Sequence, residues 1–475
     1  MEIPFIGGAY EGRSKNINAQ KSINLFPVYE KNEPKTPIAM YGTPGLVQFS
    51  APATTAIVRG IHVLGSYVYA VVGAVVYEIA SNGTAVSLGS ITTSTGHVNM
   101  ADNGTQILLV DGTIYGHIIT LNTLTNIPEG TDFVSADDCI FFDGYFLATK
   151  TDTGRFVISD LYDGLVWAAL DFATAESAAD NLVGIGNTKQ NVWLFGALTT
   201  EVYFNSGNAD FPFERVPGAI IDTGCNALGS ITEITGKIYW LSHKNQVVRS
   251  KGYGKEVVST PSLDYQFSTY TDTTDVNSYT YTLEGRSFYV LTFPTADKTW
   301  VLDVENGQWH EWSSLDGTTP EIHRATCGTL NCTLFNNKVL VGDRANGKIY
   351  ELDLDTYTDN TVAIKRTRRA QVINKERVNV IHNRIELEFE AGVGLNVAAD
   401  ADGYDPQVYL GYSDDGANTF STGEAMSMGK YQEYTERQIW RRLGKSRNRV
   451  YEMVITEPVK VVLINATSEL EACKV

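Results

Sequence analysis

The chain has 475 residues, 43% apolar and 19% charged, with a formal net charge of −18. That supplies ordinary hydrophobic cores and excludes a disordered chain, and the negative charge argues against wrapping nucleic acid, where affinity comes from neutralised phosphates. No run reaches the ~18 apolar residues of a bilayer span, and Met1-Glu2-Ile3-Pro4 lacks the basic start and apolar stretch of a signal peptide, so no membrane insertion is expected and synthesis in a cytoplasm is.

Residues 1–54 read as an extended N-terminal arm. Asn24-Leu25-Phe26-Pro27-Val28-Tyr29 and Tyr41-Gly42-Thr43-Pro44-Gly45-Leu46 bracket a stretch rich in lysine and proline. Pro27, Pro34, Pro37 and Pro44 forbid long regular elements there. Such an arm either lies across the rest of its own chain or reaches a neighbouring subunit, and Leu25, Phe26 and Tyr29 are its candidate contact residues.

From 55 to 357 strand pairs joined by short turns recur, and helical periodicity is nearly absent. The pairs begin with 66–72 and 74–79. They continue through 105–110, 145–150 with 155–159, 191–195 with 201–204, 237–241 with 246–249, 286–293 with 299–304, and 338–341 with 348–352. Turns are marked by Asn82-Gly83, Asn103-Gly104, Asp143-Gly144, Asn306-Gly307 and Asn346-Gly347, dipeptides that tolerate positive φ at both central positions. First strands recur every 40 to 50 residues or so, the spacing of propeller blades. Seven units are counted and six is the alternative; one large sandwich is the competing architecture.

Residues 358–475 read as a C-terminal β-sandwich, so the whole is all-β. Val378–Glu390 alternates apolar Ile381, Ile385, Leu387 and Phe389 with polar neighbours, and segments at 408–412, 435–443, 450–455 and 459–463 follow. Charge divides with the domains: residues 361–475 carry 16 basic and 16 acidic side chains, residues 1–360 carry 21 and 39.

No catalytic or metal signature survives inspection. Leu443-Gly444-Lys445-Ser446 lacks the upstream glycine of a phosphate loop, because Ile439 stands there. Gly411-Tyr412-Ser413-Asp414-Asp415 lacks the closing glycine of a nucleophile elbow. The seven histidines are scattered, so no zinc site is expected, and Asp400, Asp402 and Asp405 break the calcium-loop pattern. The cysteines at 139, 225, 327, 332 and 473 are odd in number and read as free thiols. No cofactor is expected.

Two further motifs stand out. Ser413-Asp414-Asp415-Gly416-Ala417-Asn418-Thr419-Phe420 resembles the Asp-box hairpin of sialidases, which is structural in its home family. The densest basic run is Arg437, Arg441, Arg442, Lys445, Arg447 and Arg449. Alternation puts Arg437, Ile439 and Arg441 on one face and Gln438, Trp440 and Arg442 on the other. It is either a solvated face or a docking surface for an acidic partner; of it, Arg437, Arg441, Arg442 and Arg447 are the candidate interface residues.

Several segments in order resemble the packaged-DNA stabilisation, or tail accessory (nozzle), proteins of short-tailed bacteriophages. They are Leu25-Phe26-Pro27-Val28-Tyr29, Thr43-Pro44-Gly45-Leu46, Arg59-Gly60, Phe172-Ala173-Thr174-Ala175-Glu176 and Trp193-Leu194-Phe195-Gly196 with Glu201. Phe211-Pro212-Phe213-Glu214-Arg215, Phe288–Pro294, Trp440-Arg441-Arg442-Leu443-Gly444 and Pro458–Ile464 complete the set. The resemblance implies a structural virion tail protein, a ring (a homohexamer in that family) beneath the portal and its head-to-tail adaptor. Such a ring extends the DNA channel, helps retain and later release the packaged genome, and carries the tail needle or the fibre and spike proteins. DNA passes through it without sequence-specific binding, and no enzyme activity is implied. The excess acid in residues 1–360 suits a wall that DNA traverses without sticking. The alternative is a carbohydrate-binding or glycosidase-like tail propeller, which needs two facing carboxylates in a concave pocket.

Overall fold

The computed structural model describes residues 5–9, 11–30, 36–128, 132–175, 178–328, 337–374 and 378–473. Pro34, Glu176 and Cys332, singled out above, lie outside the described residues. The chain forms two compact units that are not contiguous in sequence. One consists of 48–297 and 324–352, the other of residues up to 47, 298–323 and 353 onward.

The first unit is a succession of seven antiparallel sheets, described residues alone being counted. Five have four strands each: 58–90, 99–126, 136–174, 182–221 and 232–257. The sixth contributes the hairpin Asn277–Leu283 with Arg286–Phe293, and the seventh Ala325–Gly328, Leu340–Asp343 and Ile349–Asp353. Inner strands are packed on both faces and so read as near-continuous apolar runs, as in Tyr67–Val72. Outermost strands such as Ala85–Ser90 are largely exposed.

Neighbouring sheets share cores. Tyr69, Val71 and Val76 of the first pack on Ile107, Leu109 and Ile119 of the second. Trp193 and Phe195 of the fourth meet Trp240 of the fifth, with ring centroids 6.3 and 5.1 Å away. The ring closes where Val58, Ile61 and Val68 of the first sheet pack on Leu340 and Ile349 of the seventh. This is a β-propeller, built by radial repetition.

The Gln48–Ser50 end of the strand Gly45–Ser50 joins this closure. Ser50 Oγ donates to Gly83 O at 2.8 Å, and the Lys338 ammonium sits 5.7 Å from the Phe49 ring. Gly83 has φ +82°, and a Cβ there would lie 2.2 Å from Phe49 O. Gly83→Ala is therefore expected to cost about 2–3 kcal/mol through backbone collision and left-handed strain. Urea unfolding reads it out, and a wild-type midpoint would show that 48–50 yields freely.

The turns correct one expectation. Both central φ values are positive only at Asp143-Gly144 (48° and 93°). At the other four predicted dipeptides the glycine alone is left-handed, because those connections are longer than two residues. Gly83 N–H donates to Ala80 O and Gly307 N–H to Asp303 O. Thr235-Gly236 and Glu284-Gly285, which are neither Asn-Gly nor Asp-Gly, also have two positive φ values. One helix, Pro261–Thr269, was missed as well. Thr260 caps it by accepting from Leu263 N–H, and a proline stands in its first turn, both legible start signals.

The second unit is a two-sheet sandwich. One sheet runs Leu25–Tyr29, Ile38–Gly42, Val462–Ala472, Val380–Phe389 and Gln438–Arg441. The other holds Lys298–Asp303, Gln308–Asp316, Lys21–Ile23, Arg366–Arg369, Asn448–Ile455, Gln407–Ser413 and Glu424–Ser427. Met40, Ile385, Leu387, Trp440, Tyr451, Met453 and Leu463 belong to its buried core.

The N-terminal stretch is extended, as its prolines require, but its partners are strands of this sandwich. Asn24 switches the chain from one sheet to the other. It has φ +54°, its side-chain nitrogen donates to Ser313 O (2.7 Å) and Lys365 O (2.9 Å), and its oxygen accepts from Ser313 N–H. Leu25 thereby enters the sandwich core, and Phe26, on the other face of the strand, is buried as well, stacking 5.7 Å from His310. The contact role expected of these two is corrected: they present no surface, because the core they complete is their own. Tyr29, at the outer end of that strand, stays partly exposed.

Candidate functional site

The basic run folds into a strand and a turn at one end of a sandwich sheet. Gln438–Arg441 pairs antiparallel with Val380–Phe389, with Leu387 opposite Gln438, Ile385 opposite Trp440 and Arg384 opposite Arg441. Alternation sends Gln438 and Trp440 inward, where Gln438 Nε2 donates to Ser427 O and Trp440 Nε1 to Glu424 O, both at 2.9 Å. Arg437 and Arg441 point out.

Arg442 departs from the expected alternation. It has φ +57°, the strand ends before it, and its side chain is exposed instead of following Trp440 inward. Gly444 (φ +80°) completes the reversal. Arg442 and Leu443 N–H groups donate to Asn383 O and His382 O, and His382 N–H to Gly444 O, at 2.9–3.0 Å. The chain then pairs again, Lys445 opposite Ile381 and Ser446 opposite Val380.

The turn is clamped from below by Arg449, a member of the run that is buried, not solvated. Its Nε and Nη2 donate to the two Asp414 oxygens, each at 2.7 Å. Its guanidinium carbon lies 3.9 Å from the Tyr412 centroid, and Nη1 donates to Leu443 O. Such a two-pronged guanidinium–carboxylate pair fixes geometry as well as charge. Period-two alternation with Tyr451, Met453 and Ile455 was the signal that could have turned Arg449 inward in the sequence reading.

Beside it, His382 Nδ1 and the Tyr451 hydroxyl are 2.9 Å apart, as are His382 Nε2 and Ser446 Oγ. Burial first, then the Arg449 charge, pushes the imidazole down to about 4, so it is neutral near pH 7. Ser446 and His382 are both buried, and the hydroxyl that orients the imidazole belongs to a tyrosine. The pair is a buried strut and has no access for substrate.

The Asp-box segment forms the other wall of the clamp. Ser413 Oγ donates to Asp415 Oδ1 at 2.6 Å, and Asp415 accepts from the Asn418 and Thr419 N–H groups at 2.9–3.0 Å. These donors hold the Asp415 carboxyl well below the usual range. Ala417 has φ +63° and is buried against Ala19 and Val450.

Of the residues nominated from sequence, Arg441, Arg442 and Arg447 share this turn, with Lys445 between them. None of these four cations has a carboxylate partner among the described residues. Arg437 is already paired with Glu386 (2.7 Å). Leu25, Phe26 and Tyr29 lie on the strand at the opposite end of the same sheet, so the two nominated groups do not form one patch.

The propeller offers a second concavity, about 330 Å³, lined by inner strands of its sheets. Its carboxylates are tied. Asp102 Oδ2 pairs with His62 at 2.7 Å, Glu233 Oε1 accepts from Gly236 N–H, and Asp138 accepts from Ile185 N–H (2.8 Å), Cys139 N–H (3.0 Å) and the Asn99 side chain. Burial raises the Asp138 carboxyl to about 7. Cys139 and Cys225 are buried free thiols, pushed up by burial. Among the described residues no group of three or more His, Cys, Asp or Glu side chains is placed to hold a metal ion.

Comparison with known proteins agrees along almost the whole chain. The family model described as "Bacteriophage P22 Gp10, beta-propeller" matches residues 1–357, and that described as "Bacteriophage P22 Gp10, beta-sandwich" matches residues 365–471. The "Tail hub protein gp10" of Salmonella phage P22 is 22% identical over 463 residues, spanning 92% of this chain and 93% of that protein. Among solved structures, the WD40 β-propeller domain of Doa1 aligns with a TM-score of 0.42 at 12% identity, over 65% of this chain and 97% of that one.

Proposed function

The chain belongs to the P22 Gp10 family, propeller and sandwich both, and from that premise we propose that it is a structural protein of a short-tailed phage tail. The end-to-end match of both domains to a tail-hub relative carries this reading. Its work is shape and contact, with no reaction catalysed. Specifically, copies assemble as a ring, six in number, below the portal–adaptor complex, extend the DNA channel, and help retain the genome until ejection. The adaptor on one side and needle, fibre or spike proteins on the other are its neighbours in the virion tail.

The physical features fit that role. A chain of net charge −18 repels phosphate, so DNA slides past without sticking. The cores shared between propeller sheets and the two-pronged Arg449–Asp414 clamp suit a subunit whose work is shape. The tied carboxylates of the propeller concavity do not favour the glycosidase alternative, which needs two free acids facing a sugar.

Arg441 gives a direct test of the contact role. It stands directly opposite Arg384 on the neighbouring strand, a like-charge pair that destabilises a sheet. Arg384 is relieved by Glu386; Arg441 has no such relief among the described residues. Arg441→Glu is expected to raise fold stability by about 0.5 kcal/mol while sharply reducing incorporation into tails. Unfolding curves and protein content of purified virions read the two effects. Normal incorporation would remove the turn from the assembly surface. Absence of the wild-type polypeptide from purified particles, or particles that keep their DNA without it, would overturn the tail assignment itself.

A further inference from the structure

The longest described strand of the molecule lies on an edge. Asp163–Thr174 has 12 residues and is the outermost strand of the third propeller sheet, paired on one side with Arg155–Asp160. Natural edges are usually short, charged or covered, because open N–H and C=O groups recruit other chains. This one carries exposed apolar side chains: Val166 at 47%, Leu170 at 83%, and Leu161 and Tyr162 of the preceding turn at 54% and 60%.

The strand is shaped as well as apolar. Pairing holds from Arg155 opposite Thr174 to Val157 opposite Phe172 and resumes with Ser159 opposite Trp167. Residues 168–171 therefore bulge outward with Leu170 among them, a device that re-aims side chains. The turn below is fixed by Tyr162 N–H donating to Gly144 O at 2.7 Å and by Tyr162 against Phe141 at 5.7 Å. Trp167 anchors the strand inward through its Nε1 donor to Gly164 O at 2.8 Å.

Charge says what covers it. Residues 99–222, the second to fourth sheets, hold 17 acidic and 4 basic side chains. On the third sheet, Asp143 and Asp160 are exposed, Asp163 and Asp171 half-exposed, and none of the four has a cationic partner among the described residues. The fitting counterpart is cationic with apolar flanks. The chain itself owns one: the clamped turn with Arg441, Arg442, Lys445 and Arg447, which have no carboxylate partner among the described residues, flanked by the partly exposed Ile381 and Leu443.

We propose that the outer edge of the third propeller sheet docks the basic turn 441–447 of a second copy of this chain. The contact is heterologous, one surface on each copy being different, so it repeats around a ring until it closes. Complementary charge sets its register and its speed of formation, and Leu170 with Tyr162 forms its apolar centre. The inference rests on the reading of the protein as a self-assembling tail component.

The test is a charge exchange in the full-length chain, followed by analytical ultracentrifugation. Arg441→Glu with Arg442→Glu reverses the turn, and Leu170→Lys with Asp171→Lys reverses the edge. Each variant alone is expected to weaken assembly about a hundredfold, since like charges are brought together. Mixed in equal amounts, the two should assemble again, because an alternating ring meets Glu with Lys at one contact and Arg with Asp at the next. Melting curves confirm that each variant is folded, and the single changes Arg442→Glu and Asp171→Lys replace any pair that is not. Variants that assemble like wild type, a mixture that does not recover, or a wild-type chain monomeric at every concentration each overturn this contact. The tail assignment fails separately, by absence of the chain from purified virions.

Discussion

Arg368→Ala is expected to lower the unfolding free energy by about 3–5 kcal/mol and to release the N-terminal segment from the sandwich. Arg368 is fully buried, without a carboxylate partner among the described residues, and burial pushes its guanidinium down to about 10. It is therefore still charged near pH 7. Its donors go to backbone oxygens of one stretch: Nε to Phe5 O, Nη2 to Gly8 O at 3.2 Å and Nη1 to Lys21 O at 3.4 Å. One side chain thus ties residues 5–21 to the strand Arg366–Arg369, which also pairs with Lys21–Ile23.

Two effects oppose each other here. Removing a buried charge relieves desolvation, and replacing buried charges by apolar residues of similar volume is often neutral. Alanine, however, strands three carbonyl acceptors and leaves a cavity, and those losses dominate. Arg368→Met, which fills the volume, should recover part of the loss in urea unfolding. Arg368→Lys should not recover it fully, because one ammonium lacks the span of the guanidinium fork. Amide exchange across 5–23 is expected to accelerate in the alanine variant far more than exchange in Val380–Phe389. Native stability with 5–23 still protected would mean that strand pairing alone holds the segment.

The second large effect is a pH dependence at Asp138. This carboxyl is buried on an inner strand of the third sheet and bridges three sheets, accepting from Asn99 of the second and Ile185 N–H of the fourth. Burial is the largest influence and raises it from 3.8 to about 7, against the pull of its donors. A carboxyl raised in the folded state holds its proton more tightly there than when unfolded. Its contribution is most favourable below about pH 4 and is lost as pH rises through about 7. A three-unit shift corresponds to roughly 4 kcal/mol.

Other groups titrate nearby with the opposite sign. His382, pushed down to about 4 by burial and Arg449, favours the fold above pH 6.5 and withdraws that support as pH falls. Asp102 and Asp111, held low by hydrogen-bond donors despite burial, lose theirs below about pH 4. The measurement is consequently a difference. The stability of wild type minus that of Asp138→Asn should fall by roughly 4 kcal/mol between pH 4 and pH 8. Asparagine removes the titration and leaves one donor facing a donor, a cost of about 1–2 kcal/mol that does not vary with pH. A pH-independent difference would show that Asp138 stays ionised in the fold.

The sequence on its own determined what depends on near neighbours. Alternation and turn residues place most of the propeller strands within two residues: 66–72 is Tyr67–Val72, 145–150 is Tyr145–Lys150, and 286–293 is Arg286–Phe293. The 40–50-residue recurrence gives seven sheets, because each unit carries its own hairpin chemistry and buries its face only on its neighbours. The Asp-box turn was legible for the same reason, its donors and acceptor lying within four residues.

What only the tertiary structure decided involves partners far apart in the chain. Lys21–Ile23 pairs with Arg366–Arg369, and Met40 and Tyr41 pair with Leu463 and Val462. No local pattern says that a proline-rich start completes a sandwich more than 300 residues later. Within Arg366–Arg369, Arg366 and Arg368 are buried with carbonyls of Glu457 and of Phe5, Gly8 and Lys21 as acceptors, while Arg369 meets the Glu452 carboxylate, and every one of these partners is more than 80 residues away. Arg442 turned outward because His382 and Asn383 offered its turn two acceptors, which alternation counted along one strand cannot see. Side-chain period and turn geometry are short-range properties of the backbone. The match of a buried donor to a distant acceptor is a property of packing, and packing exists only once the chain has closed on itself.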